Sequence, residues 1–359
     1  MPEIGSGAQT ATSAALVGIP PSEALTYLHA GAQERGLAFE KIDTAFWRCR
    51  TQLGSIELLI GDEVATVRVL AEGSDRLQTL RDLVMQRIAA LHPDLARSIV
   101  WAGGAVTGTR PPNFRLMRVV GTSRIAPSFV RVRLAGENLE SFGQSGLHFR
   151  LLLAAKGATR VEWPTVGANG QTIWPEGELA LHRPVYTVRT IDVAAGYFDV
   201  DVFLHEGGRT SEWATTVVPG SEIGIMGPGG GWYPEGGWLL LAGDETAIPA
   251  IARILEGVPE TTTGVAYIQV ASPSDRMDLP RRMGFDITWL YRSDPASTLR
   301  EKILATLIPD RSDRFVWFGG EWADAKLLRE HFRDTGKLER SQFRIATYWT
   351  ASASEEAAP

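Results

Sequence analysis

Residues Trp238–Leu255 read WLLLAGDETAIPAIARIL, an apolar run, a short polar turn and a second apolar segment. The run Trp238–Ala242 is continuously apolar, as expected for a strand that is buried on both faces of a parallel sheet. The segment Ala247–Leu255 then predicts a helix. This strand–turn–helix order indicates an α/β domain, and the next elements continue the alternation with strands at Gly264–Val270, Asp286–Tyr291 and Phe315–Phe318 and a helix at Ala323–Asp334.

The preceding residues have a different texture, with short β-rich segments separated by turns. Pro219-Gly220 is one such turn. Strands at this spacing predict an antiparallel β-barrel. The predicted strands are Arg115–Ser123, Phe129–Leu134, His148–Ala154, Tyr186–Asp192, Tyr197–His205 and Glu222–Met226.

The N-terminal third predicts a small α+β domain of unknown role. Short strands are expected at 46–50, 56–60 and 65–71, and Leu77, Leu80, Val84, Ile88 and Leu91 have the spacing of one amphipathic helix. A Gly/Thr/Pro-rich linker covers 103–112. We therefore divide the chain into a flexible tail at 1–20, the α+β domain at 21–105, the barrel at 111–235, the α/β domain at 236–350 and a disordered tail at 351–359.

Composition excludes several classes of protein. A formal net charge of −6 argues against a general binder of nucleic acid or anionic membranes. No apolar run approaches the ~20 residues that cross a bilayer, and the N-terminus lacks the pattern of a signal peptide, so we expect a cytoplasmic protein. Cys49 is the only cysteine and the histidines are scattered, so we expect no bound metal, disulfide or iron–sulfur cluster.

One barrel strand carries a candidate site at Arg183-Pro184-Val185-Tyr186-Thr187. A cation, a ring and a hydroxyl at this spacing suit a flat anionic ligand: Arg183 for a diphosphate, Tyr186 for an isoalloxazine and Thr187 for its reactive edge. An ordinary strand with a surface arginine and a core tyrosine is the alternative. The five residues alone do not separate these interpretations.

Two further segments carry backbone suited to phosphate. The turn Gly207-Gly208 precedes Thr210 and Ser211 at a predicted helix start, where amide groups bind anions, although a plain β-to-α turn remains the alternative. In the α/β domain, 243–246 lies between the first strand and its helix, so a nicotinamide dinucleotide is expected near Thr246 and Ala247. The Gly-rich run 227–231 precedes that strand and is interpreted as the exit from the barrel.

Residues 111–350 resemble the siderophore-interacting, FAD-binding branch of the ferredoxin-reductase superfamily. The segments that carry the resemblance are 182–189 (HRPVYTVR), 203–208 (FLHEGG), 243–251 (GDETAIPAI) and 346–349 (ATYW). The resemblance implies that Arg183 binds the FAD diphosphate, that Tyr186 contacts the ring system and that Thr187 lies near its reactive nitrogen. Tyr186 and Thr187 are thus the expected reaction-centre residues.

The resemblance also completes the expected site. Remaining FAD contacts are assigned to Pro184, Val185, His205, Gly207, Gly208, Thr210, Ser211 and Trp213, with a structural role as the alternative for His205. Arg292 lies where related reductases bind the 2′-phosphate of NADPH, and Arg276 is a second candidate. Tyr348 and Trp349 would return an aromatic ring to the flavin, or else anchor a C-terminal strand.

The implied function is an FAD-dependent NAD(P)H:ferric-siderophore reductase. Hydride passes from the nicotinamide to FAD, and single electrons then reduce iron(III), which hard oxygen ligands hold more firmly than iron(II). NADPH is favoured over NADH, a ferredoxin is the alternative donor, and a monomer is expected. Competing readings are a flavin reductase, an electron shuttle to a protein partner, and a non-catalytic flavin or siderophore binder.

Overall fold

The computed structural model describes residues 9–34, 37–103, 106–294, 298–335 and 338–351. It divides into two compact units. The first unit comprises 1–117, 140–184 and 223–230, and the second comprises 118–139, 185–222 and 231–359. Within the described ranges, no helix is both long enough and apolar enough to span a membrane.

The N-terminal part of the first unit is an antiparallel sheet covered by helices, which confirms the predicted α+β class. Alternate residues of the strand at 65–72 are fully buried (Ala65, Val67, Val69), and they pack with Leu80 of the longest helix in one core. The elements are β1 Gln9–Ala15, α1 Pro21–Glu34, β2 Phe39–Lys41, β3 Phe46–Thr51, β4 Gly54–Ile60, β5 Ala65–Glu72, α2 Ser74–Leu91 and α3 Pro93–Ser98, with sheet order β1-β5-β4-β3-β2.

Strand β1 corrects the expectation of a flexible tail over 1–20. It pairs antiparallel with β5 from Gln9↔Glu72 to Ala15↔Thr66. Thr12 and Ala14 are buried although their side chains are small, so the strand lacks the apolar signal on which sequence patterns depend. Residues 1–8 and 352–359 of the two predicted tails lie outside the described residues, as do 104–105 of the predicted linker.

The middle of the chain forms short antiparallel strands, as expected of the FAD domain. In the first unit, β8 pairs with β14 and β9 with β10; in the second, β7 pairs with β6 and β13, and β13 with β12. No closed barrel forms in the described part of the chain. The elements are β6 Phe114–Ala126, β7 Phe129–Ala135, α4 Glu140–Gln144, β8 His148–Leu152, β9 Thr165–Val166, β10 Thr172–Ile173, β11 Val185–Thr187, β12 Thr190–Asp192, β13 Tyr197–Phe203, α5 Arg209–Thr216 and β14 Glu222–Gly229.

The strand predicted over Tyr186–Asp192 is in fact two strands, β11 and β12. The interruption falls at Val188 and Arg189, both buried. The Val188 carbonyl accepts a hydrogen bond from the buried Arg253 guanidinium at 2.9 Å. A side chain that lies far away in sequence therefore binds backbone at the break, which a local sequence pattern does not disclose.

The C-terminal part of the second unit is the predicted parallel α/β domain. Leu239–Ala242 of the central strand have no exposed surface, as the apolar run in the sequence indicated. The C-terminal aromatic segment is the fifth strand of the sheet. The elements are β15 Trp238–Gly243, α6 Ile248–Gly257, β16 Thr263–Val270, β17 Phe285–Tyr291, α7 Leu299–Ala305, β18 Arg314–Glu321, α8 Trp322–Asp334 and β19 Phe343–Trp349, with order β17-β16-β15-β18-β19.

Candidate active site

Arg183 lies in a segment that is fixed to β8 by backbone hydrogen bonds on both sides of it. His182 exchanges two bonds of 2.8 Å with Leu153, and the Pro184 carbonyl accepts from the Leu151 amide at 2.9 Å. The Arg183 side chain is exposed. Its guanidinium lies over the Trp174 ring, 4.2 Å from the centroid. Backbone and stacking together thus define where this cation sits.

A second arginine, Arg150 of β8, accompanies Arg183 and was missed in the sequence. Its Nη1 donates to the Arg183 carbonyl at 3.2 Å. Burial, and then the neighbouring Arg183 charge, lower the pKa of Arg150. In the described part of the chain, neither guanidinium has an ion pair. Two adjacent cations without a carboxylate suit an anionic group such as a diphosphate, and the only sequence signal was an arginine inside the largely apolar stretch 147–153.

Tyr186 and Thr187 belong to β11 in the second unit, together with the exposed Val185. Burial raises the pKa of Tyr186, while a side-chain hydrogen bond with Thr210 of α5 acts in the opposite direction. Thr187 is buried. The structure thus brings Tyr186 and Thr210, two predicted flavin contacts that are 24 positions apart, into direct contact.

The turn before α5 depends on its two glycines. Gly207 has φ of 70°, in the left-handed region that favours glycine. A Cβ on Gly208 would lie 2.6 Å from the His205 ring and 2.8 Å from Ser211 Oγ. This turn leads directly into the start of α5, and backbone at a helix start is the kind that favours anions.

Two predicted contacts in this turn hold the turn itself. Ser211 Oγ accepts from the His205 amide at 3.0 Å. The exposed His205 ring places Nδ1 3.2 Å from the Glu206 carbonyl. Trp213, two residues after Ser211 on α5, is half-buried. A direct ligand role for Ser211, His205 and Trp213 stays a prediction.

The loop after β15 is closed by its own hydrogen bonds. Asp244 Oδ1 accepts from the Thr246 amide at 2.9 Å and from its hydroxyl at 2.5 Å, and Oδ2 accepts from Trp349 Nε1 at 2.7 Å. Burial raises the pKa of Asp244, and these hydrogen bonds oppose the shift. Ala247 is fully buried. Both donors of Thr246 are directed at Asp244, so the predicted contact of Thr246 with a dinucleotide would require Thr246 to change partner.

Arg292 is neutralised within the protein. Its guanidinium makes a bidentate pair with Glu245, with Nη2 2.7 Å from Oε2. The Glu245 side chain is only 3% exposed. Both residues belong to the carboxyl ends of the parallel strands, where Asp244, Gln269, Arg292, Phe318, Glu321 and Trp349 line a cavity of about 190 Å³.

Arg276, the second candidate for a 2′-phosphate, has different neighbours. Its guanidinium lies over two rings of β17, 5.8 Å from the Trp289 centroid and 5.4 Å from that of Tyr291. Together with Arg281 it lines a cavity of about 300 Å³ at this edge strand. Arg292 is thus paired with a buried carboxylate, whereas Arg276 lies against two rings beside a second arginine; a phosphate role for either stays a prediction.

The aromatic pair at the end of β19 has divided roles. Tyr348 packs edge-on against Trp317 with centroids 6.2 Å apart, and burial raises the pKa of Tyr348. Trp349 is 40% exposed and is tethered by its bond to Asp244. Tyr348 therefore serves as an anchor of β19, whereas Trp349 lines the cavity at the strand ends.

Comparisons with known proteins identify the family of this chain. The profile of the siderophore-interacting FAD-binding domain matches residues 118–232, and that of the siderophore-interacting protein matches 236–352. The chain is 30% identical over 257 residues to the ferric vibriobactin reductase ViuB of Vibrio cholerae, covering 68% of this chain and 92% of that protein. It is 31% identical over 248 residues to an NADPH-dependent ferric-chelate reductase of Escherichia coli, covering 66% and 93%.

Solved structures give the same result. A siderophore utilization protein from T. fusca is 29% identical with a TM-score of 0.55, covering 69% of this chain and 97% of that one. The siderophore-interacting protein SipS from Aeromonas hydrophila, at 24% identity and a TM-score of 0.55, has the same fold over 67% and 99%. The chain therefore belongs to the siderophore-interacting protein family and is an FAD-binding oxidoreductase.

Proposed function

We propose that the protein is an FAD-dependent NADPH:ferric-siderophore reductase that releases iron as iron(II). The observation that carries the proposal is the pair of arginines without carboxylate partners, Arg150 and Arg183, in the part of the chain that matches an FAD-binding domain. The names of two relatives, a ferric vibriobactin reductase and a ferric-chelate reductase, support the substrate class.

The chain's own residues bind and orient. Arg183 supplies positive charge and hydrogen-bond donors for the FAD diphosphate. The hydrogen bond to Thr210 fixes the Tyr186 ring for contact with the isoalloxazine, and the buried Thr187 lies one residue further along the same short strand. Bound FAD would supply the redox chemistry, accepting a hydride from the nicotinamide and passing its two electrons on singly, so that one hydride would account for two iron(III) complexes reduced.

Reduction releases the iron because hard oxygen ligands stabilise iron(III) far more than iron(II). The Arg150 side chain supplies positive charge that favours an anionic ferric complex. Electron transfer to the ferric complex needs no general acid or base from the protein. The candidate site accordingly consists of arginines, hydroxyls and rings.

For the electron donor, we propose NADPH bound at the Arg276 cavity. Trp289 offers a ring face for an adenine, and Arg276 and Arg281 are cations for a 2′-phosphate. Arg276→Ala should raise the KM for NADPH about tenfold and leave that for NADH unchanged, since one lost phosphate contact costs about 1.5 kcal/mol. An equal change for both coenzymes would remove this assignment.

An anaerobic absorbance titration of the purified protein tests the main proposal. FAD should bind and give a flavin band, NADPH should bleach the band, and a ferric siderophore should restore it with two iron atoms reduced per flavin. A protein that takes up no FAD, or whose flavin NADPH and NADH leave coloured, contradicts the reductase. Reoxidation by free flavin or a ferredoxin but not by ferric siderophores would favour the competing readings.

A further inference from the structure

We propose that the N-terminal domain, residues 9–103, positions Arg183 for FAD through the β9–β10 hairpin. The proposal rests on the proposed function, because it concerns the same flavin site. The domain lies outside the residues 118–352 that the family profiles match, so the family by itself gives it no role. All contacts that link this domain, the hairpin and Arg183 lie within the first unit.

The first step is a polar contact between α2 and the hairpin. Asp82 accepts two hydrogen bonds from Thr172 of β10, at 3.2 Å from the amide and 2.7 Å from the hydroxyl. Gln78, one turn earlier on α2, donates to Asp82 at 2.9 Å and to the Gly170 carbonyl at 3.2 Å. One helix of the N-terminal domain thus binds both the turn and the second strand of the hairpin.

The second step is packing at the hairpin turn. Gly170 has φ of 82°, and a Cβ on it would overlap the Arg81 guanidinium. Arg81 is 2% exposed and lies over the Trp101 ring, 5.6 Å from its centroid. The turn therefore fits against the N-terminal domain only with glycine at this position.

Backbone on both sides of the turn completes the attachment. The Trp101 amide donates to the Asn169 carbonyl at 3.3 Å. The Gln171 side-chain amide donates to the carbonyl of Ala96, a residue of α3, at 3.0 Å. Consecutive hairpin residues are thus held from several elements, which leaves the hairpin little freedom to move independently of the domain.

The last step leads from the hairpin to Arg183. Trp174 follows Thr172 by two residues, and its ring packs against the buried cluster Phe114, Leu152 and Met226. Arg183 stacks on that ring at 4.2 Å. Since a guanidinium held against a ring face has fewer positions open to it, the place of the ring restricts where the Arg183 donors lie. The N-terminal domain thereby acts on Arg183 through Thr172 and Trp174.

The variant Thr172→Val tests this route because it removes the hydroxyl and keeps the shape. Losing this hydrogen bond to a carboxylate should appear as a rise in the Kd for FAD of roughly three- to tenfold. Thr172→Ser should restore wild-type affinity. Thr66→Val on β5, a threonine outside the hairpin contact, is the matched control and should leave the Kd unchanged.

A double-mutant cycle separates positioning from general destabilisation. With Trp174→Ala already present, Thr172→Val should have no further effect on the Kd for FAD, because both act through the same ring. FAD affinity would be measured by quenching of flavin fluorescence on the full chain. Should Thr172→Val fold poorly, Asp82→Asn breaks the same contact, since both carboxylate oxygens are used.

The outcomes separate this inference from the function on which it rests. If the unaltered protein binds FAD and the Thr172 and Asp82 variants bind it with the same Kd, the positioning role is wrong while the reductase stands. Equal losses in Thr66→Val, or additive losses in the double variant, also overturn it. Failure of the unaltered protein to bind FAD would instead contradict the proposed function.

Discussion

Arg183 and Arg292 are two arginines that the sequence assigns to phosphate groups, yet the structure gives them opposite surroundings. Arg292 makes a bidentate pair with Glu245, whose side chain is 3% exposed. Arg183 stacks on Trp174 beside a second cation, Arg150. One positive charge is paired with a carboxylate within the protein, and the other has no ion pair in the described part of the chain.

The charged neighbours of each arginine separate these two candidate anion sites. A phosphate that recruited Arg292 would leave the buried Glu245 carboxylate without its counter-charge, which costs several kcal/mol. A phosphate at Arg183 relieves the repulsion between two cations and leaves the stacking on Trp174 in place. The neighbours of an arginine, more than its position in the chain, decide whether it binds a ligand.

The largest expected effect comes from Arg183→Ala. Because charge-assisted hydrogen bonds are worth about 1.5–3 kcal/mol, the Kd for FAD should rise by roughly 100-fold, with the free energy of unfolding of the FAD-free protein unchanged. Titration of flavin fluorescence and urea unfolding measure the two quantities. Arg97→Ala, which removes a surface arginine of α3, is the control. Unchanged FAD binding would show that this cation is not part of the flavin site.

Arg292→Ala should act mainly on stability. It leaves the Glu245 carboxylate buried without its partner, and because the arginine itself is 41% exposed we expect a loss of about 2 kcal/mol in the free energy of unfolding. Arg300→Ala is a matched control: Arg300 is equally exposed, but its partner Asp324 is 31% exposed, so the loss should stay below about 1 kcal/mol. If Arg292→Ala instead weakened the binding of NADPH but not of NADH, Arg292 would again be assigned to the 2′-phosphate.

The smallest expected effect is a pH dependence from Asp244. Burial raises the pKa of Asp244 in the folded protein above its unfolded value, so the folded state binds the extra proton and stability falls as pH rises from about 4 through the folded pKa. One proton gives at most about 1.4 kcal/mol per pH unit. Asp244→Asn removes the titrating carboxyl. The free energy of unfolding of this variant, relative to wild type, should therefore increase with pH when it is measured by urea unfolding. A pH-independent difference for Asp244→Asn contradicts the assignment.

Much of the fold could be predicted because each prediction rested on a strong local signal. Leu239–Ala242 predicted a central parallel strand, and the spacing of Leu77, Leu80 and Val84 predicted α2. Strand β1 was missed because its buried residues are small, and the break between β11 and β12 was missed because Arg253 binds backbone there from another part of the chain. Local patterns do not contain either cause.

From the sequence alone we could predict the strand-rich and α/β parts of the chain, the candidate segment 183–187 and the family, since these follow from short contiguous motifs and from hydrophobic periodicity. Which charges are paired within the protein and which are not depends on contacts between residues that are far apart in the chain. Arg150 joins Arg183 across 33 positions, Glu245 neutralises Arg292 across 47, and Asp82 reaches Thr172 across 90. The physical reason is that charge compensation and side-chain orientation depend on distances in space, which folding sets between residues far apart in the chain.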